Sequence, residues 1–289
     1  MKSRNFFLLI SLGAIWGASY IFIRLAAPVF GSWWLIALRL LIAGLALLSF
    51  VTITGQRPIF KNRWWHYVLL GTVNAALPFT LITNAVSDLN ASTSAIINAI
   101  TPASTAVVAA IWIKDPLTPR KLFGLLIGMI GVIVIVGWNP LPLSGRTIMA
   151  ASQAIIATLF YGFGTVYTRS QFNGDTALAL AIGQQFGACV PQFPLAAFSP
   201  IPMPTLTASV SLLALALLCT SLAYLIYFRL VANLGPSRTS TVTFLVPFFS
   251  LIWGVIFLGE KINIGIFAGM ALIICSIALV MSRQTAELS

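Results

Sequence analysis

The sequence predicts an all-α polytopic membrane protein, with ten transmembrane helices as two inverted five-helix repeats. Three observations lead there: an apolar composition, ten long apolar stretches, and an echo of the first half in the second about 145 residues later. With 59% hydrophobic residues, 7% charged residues and a mean hydropathy of +1.00, the chain lacks the polar side chains to coat a water-soluble surface. A helix needs about 20 apolar residues to cross a hydrocarbon layer about 30 Å thick. A β-barrel would instead show short alternating segments.

The stretches lie at 5–27, 31–53, 64–86, 91–112, 119–137, 147–169, 176–198, 207–231, 236–258 and 262–282. The first follows Lys2 and Arg4 like a signal peptide, but it runs a full span and carries Trp16, Tyr20 and Arg24, so it reads as a retained helix. The second opens at Trp33-Trp34 and stops at Gly55-Gln56-Arg57-Pro58; the third opens at Trp64-Trp65-His66-Tyr67. Such rings favour the headgroup level, which makes His66, the one histidine, an interfacial side chain. The fifth and seventh end at Trp138 to Pro142 and at Ser199-Pro200-Ile201-Pro202, where turn residues break the apolar run. Cys189, Cys219 and Cys275 fall within spans and read as free packing thiols.

The net charge of +11 is best read by position. With the N-terminus in the cytoplasm, Lys2, Arg4, Arg57, Lys61, Arg63, Lys114, Arg120, Lys121, Arg169, Arg229, Arg238 and Arg283 share that side. Arg24, Arg146 and Lys261 fall outside, and Arg39 lies inside a span. The bias predicts two cytoplasmic termini and removes any need for a nucleic-acid partner. Trp16-Gly17 and Arg24 recur as Tyr161-Gly162 and Arg169; Leu89, Ser92, Pro102, Asp115 and Gly124 recur as Leu234, Ser237, Pro247, Glu260 and Gly269. Five spans per repeat is an odd number, so the repeats, 1–142 and 143–289, enter from opposite faces and place a midplane site between them.

Within the apolar stretches, a few polar residues mark that site. Ser94, Asn98, Thr101 and Thr105 share one helix face, and their repeat partners are Thr239, Thr243, Val246 and Ser250. Pro78, Pro102 and Pro247 each remove a helical hydrogen bond, freeing the carbonyls of Asn74, Asn98 and Thr243. An unpaired carbonyl beside a polar side chain predicts a broken helix lining a cavity; ordinary interhelical hydrogen bonding is the plain alternative. For Pro191 and Pro194 an ordinary kink is expected. Trp16, Tyr20, Tyr161, Tyr224, Tyr227 and Phe244 lie near the same depth and either wall a pocket or pack the bundle. Arg39 is a candidate for holding a substrate carboxylate, with snorkelling as its alternative. No carboxylate falls mid-span, which argues against a proton relay, an acid–base enzyme, a metal site or a cofactor. The candidate substrate-binding set is Trp16, Tyr20, Arg39, Asn74, Pro78, Asn98, Thr101, Tyr161, Tyr224, Thr243 and Phe244.

Ala14-Ile15-Trp16-Gly17 with Arg24, Leu38-Arg39-Leu40-Leu41, Leu234-Gly235-Pro236-Ser237-Arg238, Pro247 and Leu258-Gly259-Glu260 resemble the EamA-type branch of the drug/metabolite transporter superfamily, over nearly the whole chain. Lys114-Asp115 departs from the Gly-Glu usual at that point. The resemblance implies efflux or exchange of small metabolites across the bacterial inner membrane, through a cavity lined by spans one, three, four, six, eight and nine. An uncharged polar cavity with aromatic walls favours amino acids among the solutes such proteins handle; nucleobases, sugars and drug-like compounds are the alternatives, and a channel a more distant one. Small molecules and membrane lipid are the expected partners, and oligomeric state is not legible.

Overall fold

The structure, a computed structural model, describes residues 3–114, 118–137, 144–172, 174–200, 202–234, 242–261 and 263–281. These form helices and connecting turns, with no strand among them. The elements are α1 (Ser3–Thr54), α2 (Trp64–Gly71), a first π-helix (Thr72–Ala76), α3 (Leu77–Asp88), α4 (Ala91–Asn98), α5 (Thr101–Trp112) and α6 (Pro119–Gly137). The second half continues with α7 (Gly145–Gln171), α8 (Ala177–Ala197), α9 (Leu206–Leu213), a second π-helix (Ala214–Leu222), α10 (Ala223–Leu234), α11 (Val242–Leu258) and α12 (Ile264–Met281). Five described stretches are long and apolar enough to cross a membrane: Arg4–Thr54, Trp64–Asp88, Ala91–Trp112, Gly145–Gln171 and Leu206–Tyr227.

Polar caps start several helices in a chain with few polar residues. Asn90, Ser144, Thr176 and Thr205 each accept the amide three positions on, satisfying an end donor that lipid would leave unpaired. α1 is two helices in one: Gly31 sits at φ 65°, ψ 166°, a conformation glycine alone adopts comfortably. In a straight helix Tyr20 and Arg39 would stand about 28 Å apart. Both face one cavity, so the arms 3–30 and 32–54 double back at this glycine.

The bundle closes through glycines, which let backbones approach where lipid supplies no hydrophobic drive. A Cβ at Gly17 would stand 2.8 Å from Ser250 N and 3.0 Å from Val246 O on α11. One at Gly162 would stand 3.0 Å from Thr105 N on α5. These contacts exchange under the 145-residue spacing, because Gly17 maps to Gly162 and Thr105 to Ser250. α6 and α12 meet in the same reciprocal way, Gly128 against Ser276 and Gly131 against Ile273. The largest core joins both arms of α1 to α3, α9 and the second π-helix. Large apolar side chains such as Ile53, Ile111, Phe198 and Leu206 point outward, as a lipid-facing surface requires.

The prolines divide. At Pro102 the expected break is present: α4 ends at Asn98, α5 starts at Thr101, and Ile100 N bonds Ile97 O in a tighter turn. At Pro78 the helix is not broken; the first π-helix precedes the proline and Leu77 N reaches back five residues to Thr72 O. At Pro247 the expectation fails, since α11 runs through it unbroken. A proline removes one backbone hydrogen bond, and the remaining ladder of α11 carries the helix through Pro247. α8 likewise continues through Pro191 and Pro194. Asp115, Trp138, Thr239 and the Gly235 to Arg238 turn lie outside the described residues.

Candidate functional site

A cavity of about 370 Å³ opens between the halves. The arms of α1 contribute Trp16, Tyr20 and Arg39; the first π-helix and α3 contribute Asn74 and Phe79. The α4–α5 break contributes Asn98, Thr101 and Pro102, and α7 contributes Tyr161. From the second π-helix and α10 come Cys219, Thr220, Tyr224 and Tyr227, and from α11 Thr243, Val246 and Pro247. Both halves therefore wall one space, lined by aromatic rings and uncharged polar groups around the Arg39 guanidinium. No acidic side chain among the described residues lines it, and no cluster of potential metal ligands occurs among them.

Most of the candidates named from sequence thus meet at one cavity: Trp16, Tyr20, Arg39, Asn74, Asn98, Thr101, Tyr161, Tyr224 and Thr243. Pro78 does not. It is buried in the helix wall, and the next residue, Phe79, takes the cavity position. The side chain of Phe244 lies outside the described residues. The polar face of the fourth span is also divided. Asn98 and Thr101 reach the cavity, Ser94 is buried away from it, and Thr105 packs against Gly162.

The rings pair across the halves: Trp16 against Tyr227 at 5.7 Å between centroids, and Tyr161 against Phe79 at 6.4 Å. Such tilted and edge-on pairs fix wall geometry without filling the space between them. Arg39 is 5% exposed; its Nε donates to Thr220 Oγ1 at 3.0 Å and its guanidinium carbon lies 4.1 Å from the centre of the Phe79 ring. Snorkelling is thereby overturned, because the side chain turns inward to Thr220 and Phe79. Thr220 is held in turn by donating to Leu215 O, five residues earlier in the second π-helix. Opposite, Asn74 in the first π-helix donates to Gln184 Oε1 at 2.7 Å, and Gln184 Nε2 donates to the Tyr224 hydroxyl at 2.9 Å.

Arg39 and Gln184 stand 145 positions apart, as do Asn74 and Cys219, the neighbour of Thr220. Each half thus sends a π-helical polar group to the long polar side chain of the other half. Sequence reading missed Thr220 and Gln184, because π-helical register carries no hydropathic signal. The spacing from Arg39 was the available clue to Gln184.

Two helix ends are tied by charge. Arg24 donates through Nη1 to the carbonyls of Val86, Ser87 (2.8 Å) and Leu89 (3.1 Å), closing the end of α3. Glu260 accepts from the amides of Ala91 (2.6 Å) and Ser92 (3.2 Å) and from the Ser92 hydroxyl, capping α4 from the far half. At another site, Asp175 accepts from Lys61 N (3.0 Å), Asn62 and the Tyr67 hydroxyl, while His66 Nδ1 lies 2.6 Å from the Tyr167 hydroxyl. Neither His66 nor Asp175 reaches the cavity.

The profile described as the EamA-like transporter family matches residues 4–137 and again 148–282. The chain belongs to this family. Among similar EamA-like proteins, the uncharacterized transporter YvbV of Bacillus subtilis is 28% identical over 99% of this chain and 94% of its own length. Protein PecM of Dickeya dadantii is 23% identical over 92% of this chain and 88% of its own. The uncharacterized inner membrane transporter YedA of Escherichia coli K12 is 24% identical over 94% and 89%. A solved crystal structure superposes with a TM-score of 0.67 at 14% identity, covering 97% of each chain, which shows a shared fold. This EamA-like chain is therefore a membrane transporter by family and not an enzyme.

Proposed function

We propose that the protein is an inner-membrane carrier that exports amino acids by alternating access between two inverted five-helix repeats, residues 1–142 and 143–289. The observation that carries this reading is the cavity itself, a space of about 370 Å³ enclosed by both halves and faced with aromatic rings, Asn74, Asn98, Thr101, Thr243 and Arg39. Uncharged polar groups suit a solute whose charges balance, and aromatic walls tolerate variable side chains. The reciprocal glycine contacts and the exchanged π-helical hydrogen bonds support a pair of related halves, since two similar units can trade conformations. Ten crossings suit the grouping of Arg24, Leu89, Ala91 and Glu260 through their hydrogen bonds, and the charge bias supports two cytoplasmic termini. The absence of a carboxylate among the described lining residues favours movement down the solute gradient or by exchange.

Purified protein in liposomes preloaded with unlabelled amino acids should accumulate labelled ones by saturable counterflow, with no imposed proton gradient. Counterflow of nucleobases or sugars in place of amino acids would overturn the substrate assignment. Flux without saturation or counterflow would overturn the carrier itself.

A further inference from the structure

We infer that Arg39 is the specificity-determining group of the cavity, receiving the carboxylate of the solute, so that the substrate class is organic monocarboxylates with apolar bodies, amino acids among them. This rests on the carrier reading above. The first argument is charge. Arg39 is the cationic lining residue, is 5% exposed, and meets no acidic side chain among the described lining residues. A guanidinium held at membrane depth without an anion is costly, and a bound carboxylate would both neutralise it and fit its planar fork.

The second argument is orientation. Its Nε donates to Thr220 Oγ1, while Phe79 covers the guanidinium from one side. Among the described residues the terminal Nη groups have no acceptor, and the side chain lines the cavity. The cavity that Arg39 lines can therefore bring a planar acceptor to these terminal donors.

The third argument removes the packing explanation. The 145-residue spacing maps Arg39 onto Gln184, which sits in the matching place of the other half and bonds the π-helical Asn74. The same scaffold is held there by a neutral amide, so packing alone does not call for a charge. The walls near Arg39 are the rings of Tyr20, Phe79, Tyr161 and Tyr224, which suit an apolar body. No acid among the described lining residues matches an ammonium, so the amino group of an amino acid is tolerated and not required.

The test uses full-length protein in liposomes with phenylalanine counterflow, competed by 3-phenylpropionate, which lacks the amino group, and by phenylalaninamide, which lacks the carboxylate. In the wild type, 3-phenylpropionate should compete within a few-fold of phenylalanine, and the amide about tenfold or more weaker. Arg39→Gln should erase the preference for carboxylate over amide, and Arg39→Lys should keep part of it, since a point charge replaces the fork. Ligand-induced thermal stabilisation in detergent gives the same ranking independently of transport and reports whether each variant is folded. Equal competition by the amide in the wild type, or an unchanged carboxylate preference in folded Arg39→Gln, would overturn the role of Arg39 while leaving the carrier reading standing. Failure of 3-phenylpropionate to compete would overturn the monocarboxylate class. No counterflow of phenylalanine or of any other monocarboxylate, with nucleobases or sugars moved instead, would remove the amino-acid reading and this inference together.

Discussion

Gly17 and Gly162 show what single residues do in a bundle without a hydrophobic drive between helices. At Gly17 a methyl group would meet Phe249 Cβ and Ser250 N at 2.8 Å, and backbone cannot retract as a flexible side chain can. Gly17→Ala should therefore push the first arm off α11 and cost roughly 1–3 kcal/mol, read as a lower unfolding temperature in detergent. Gly162→Ala, with 3.0 Å to Thr105, should cost less. Equal stability of both variants and wild type would show that these approaches are not tight. At the cavity, Asn98→Ala and Thr243→Ala should alter the concentration dependence of counterflow more than they alter unfolding temperature. Unchanged kinetics in both would assign those side chains to packing. Asn98 lines the cavity beside Tyr20, and its Oδ1 is buried without a partner among the described residues, an acceptor that costs free energy in pure packing and that a solute donor could satisfy.

At the scale of elements, the helix ends explain motifs that sequence can only point to. Asn90-Ala91-Ser92 has the form of a glycosylation tripeptide, yet Asn90 caps α4 and the Ala91 and Ser92 amides are held by Glu260. Glu260→Ala should remove all three charge-assisted bonds, to the two amides and the Ser92 hydroxyl, and cost roughly 1–2 kcal/mol. Glu260→Gln should recover part of that, because its amide oxygen still accepts. A Glu260→Ala protein as stable as wild type would show that water replaces the cap freely. The helical stretches were legible because long apolar runs have few alternatives in lipid, and Arg39, Asn74 and Asn98 were legible because a polar residue inside such a run must be accommodated. The rest was not. Thr220 faces Arg39 through a π-helix whose register hydropathy does not encode, and Gln184 takes its meaning from Asn74, far away in sequence. Pro78 was misplaced for a related reason: its effect is on the backbone before it, and the ring that lines the cavity belongs to Phe79.

For the whole molecule, the reciprocal contacts connect duplication to direction. If the two halves are inverted, the end held by Arg24 and Glu260 and the end holding Asp175 with Lys61 face opposite sides of the membrane. Both sets of ties cross between segments distant in sequence, so each joins elements that would separate if that end opened. On the proposed topology, the charge bias predicts the Asp175 end in the cytoplasm and the Glu260 end outside. In a background where Cys189, Cys219 and Cys275 are replaced, Lys261→Cys should react with a membrane-impermeant thiol reagent added to intact cells, whereas Lys61→Cys should react only after lysis. Both positions are exposed, so burial does not mask either result. Reaction of both from one side would break the inverted arrangement, and the reverse pattern would turn the molecule over in the membrane. With the expected labelling established, saturating amino acid should slow reaction at a cysteine placed at Thr101, inside the cavity, without slowing it at Lys261→Cys. Equal slowing at the two positions would mean that the solute acts elsewhere than the cavity.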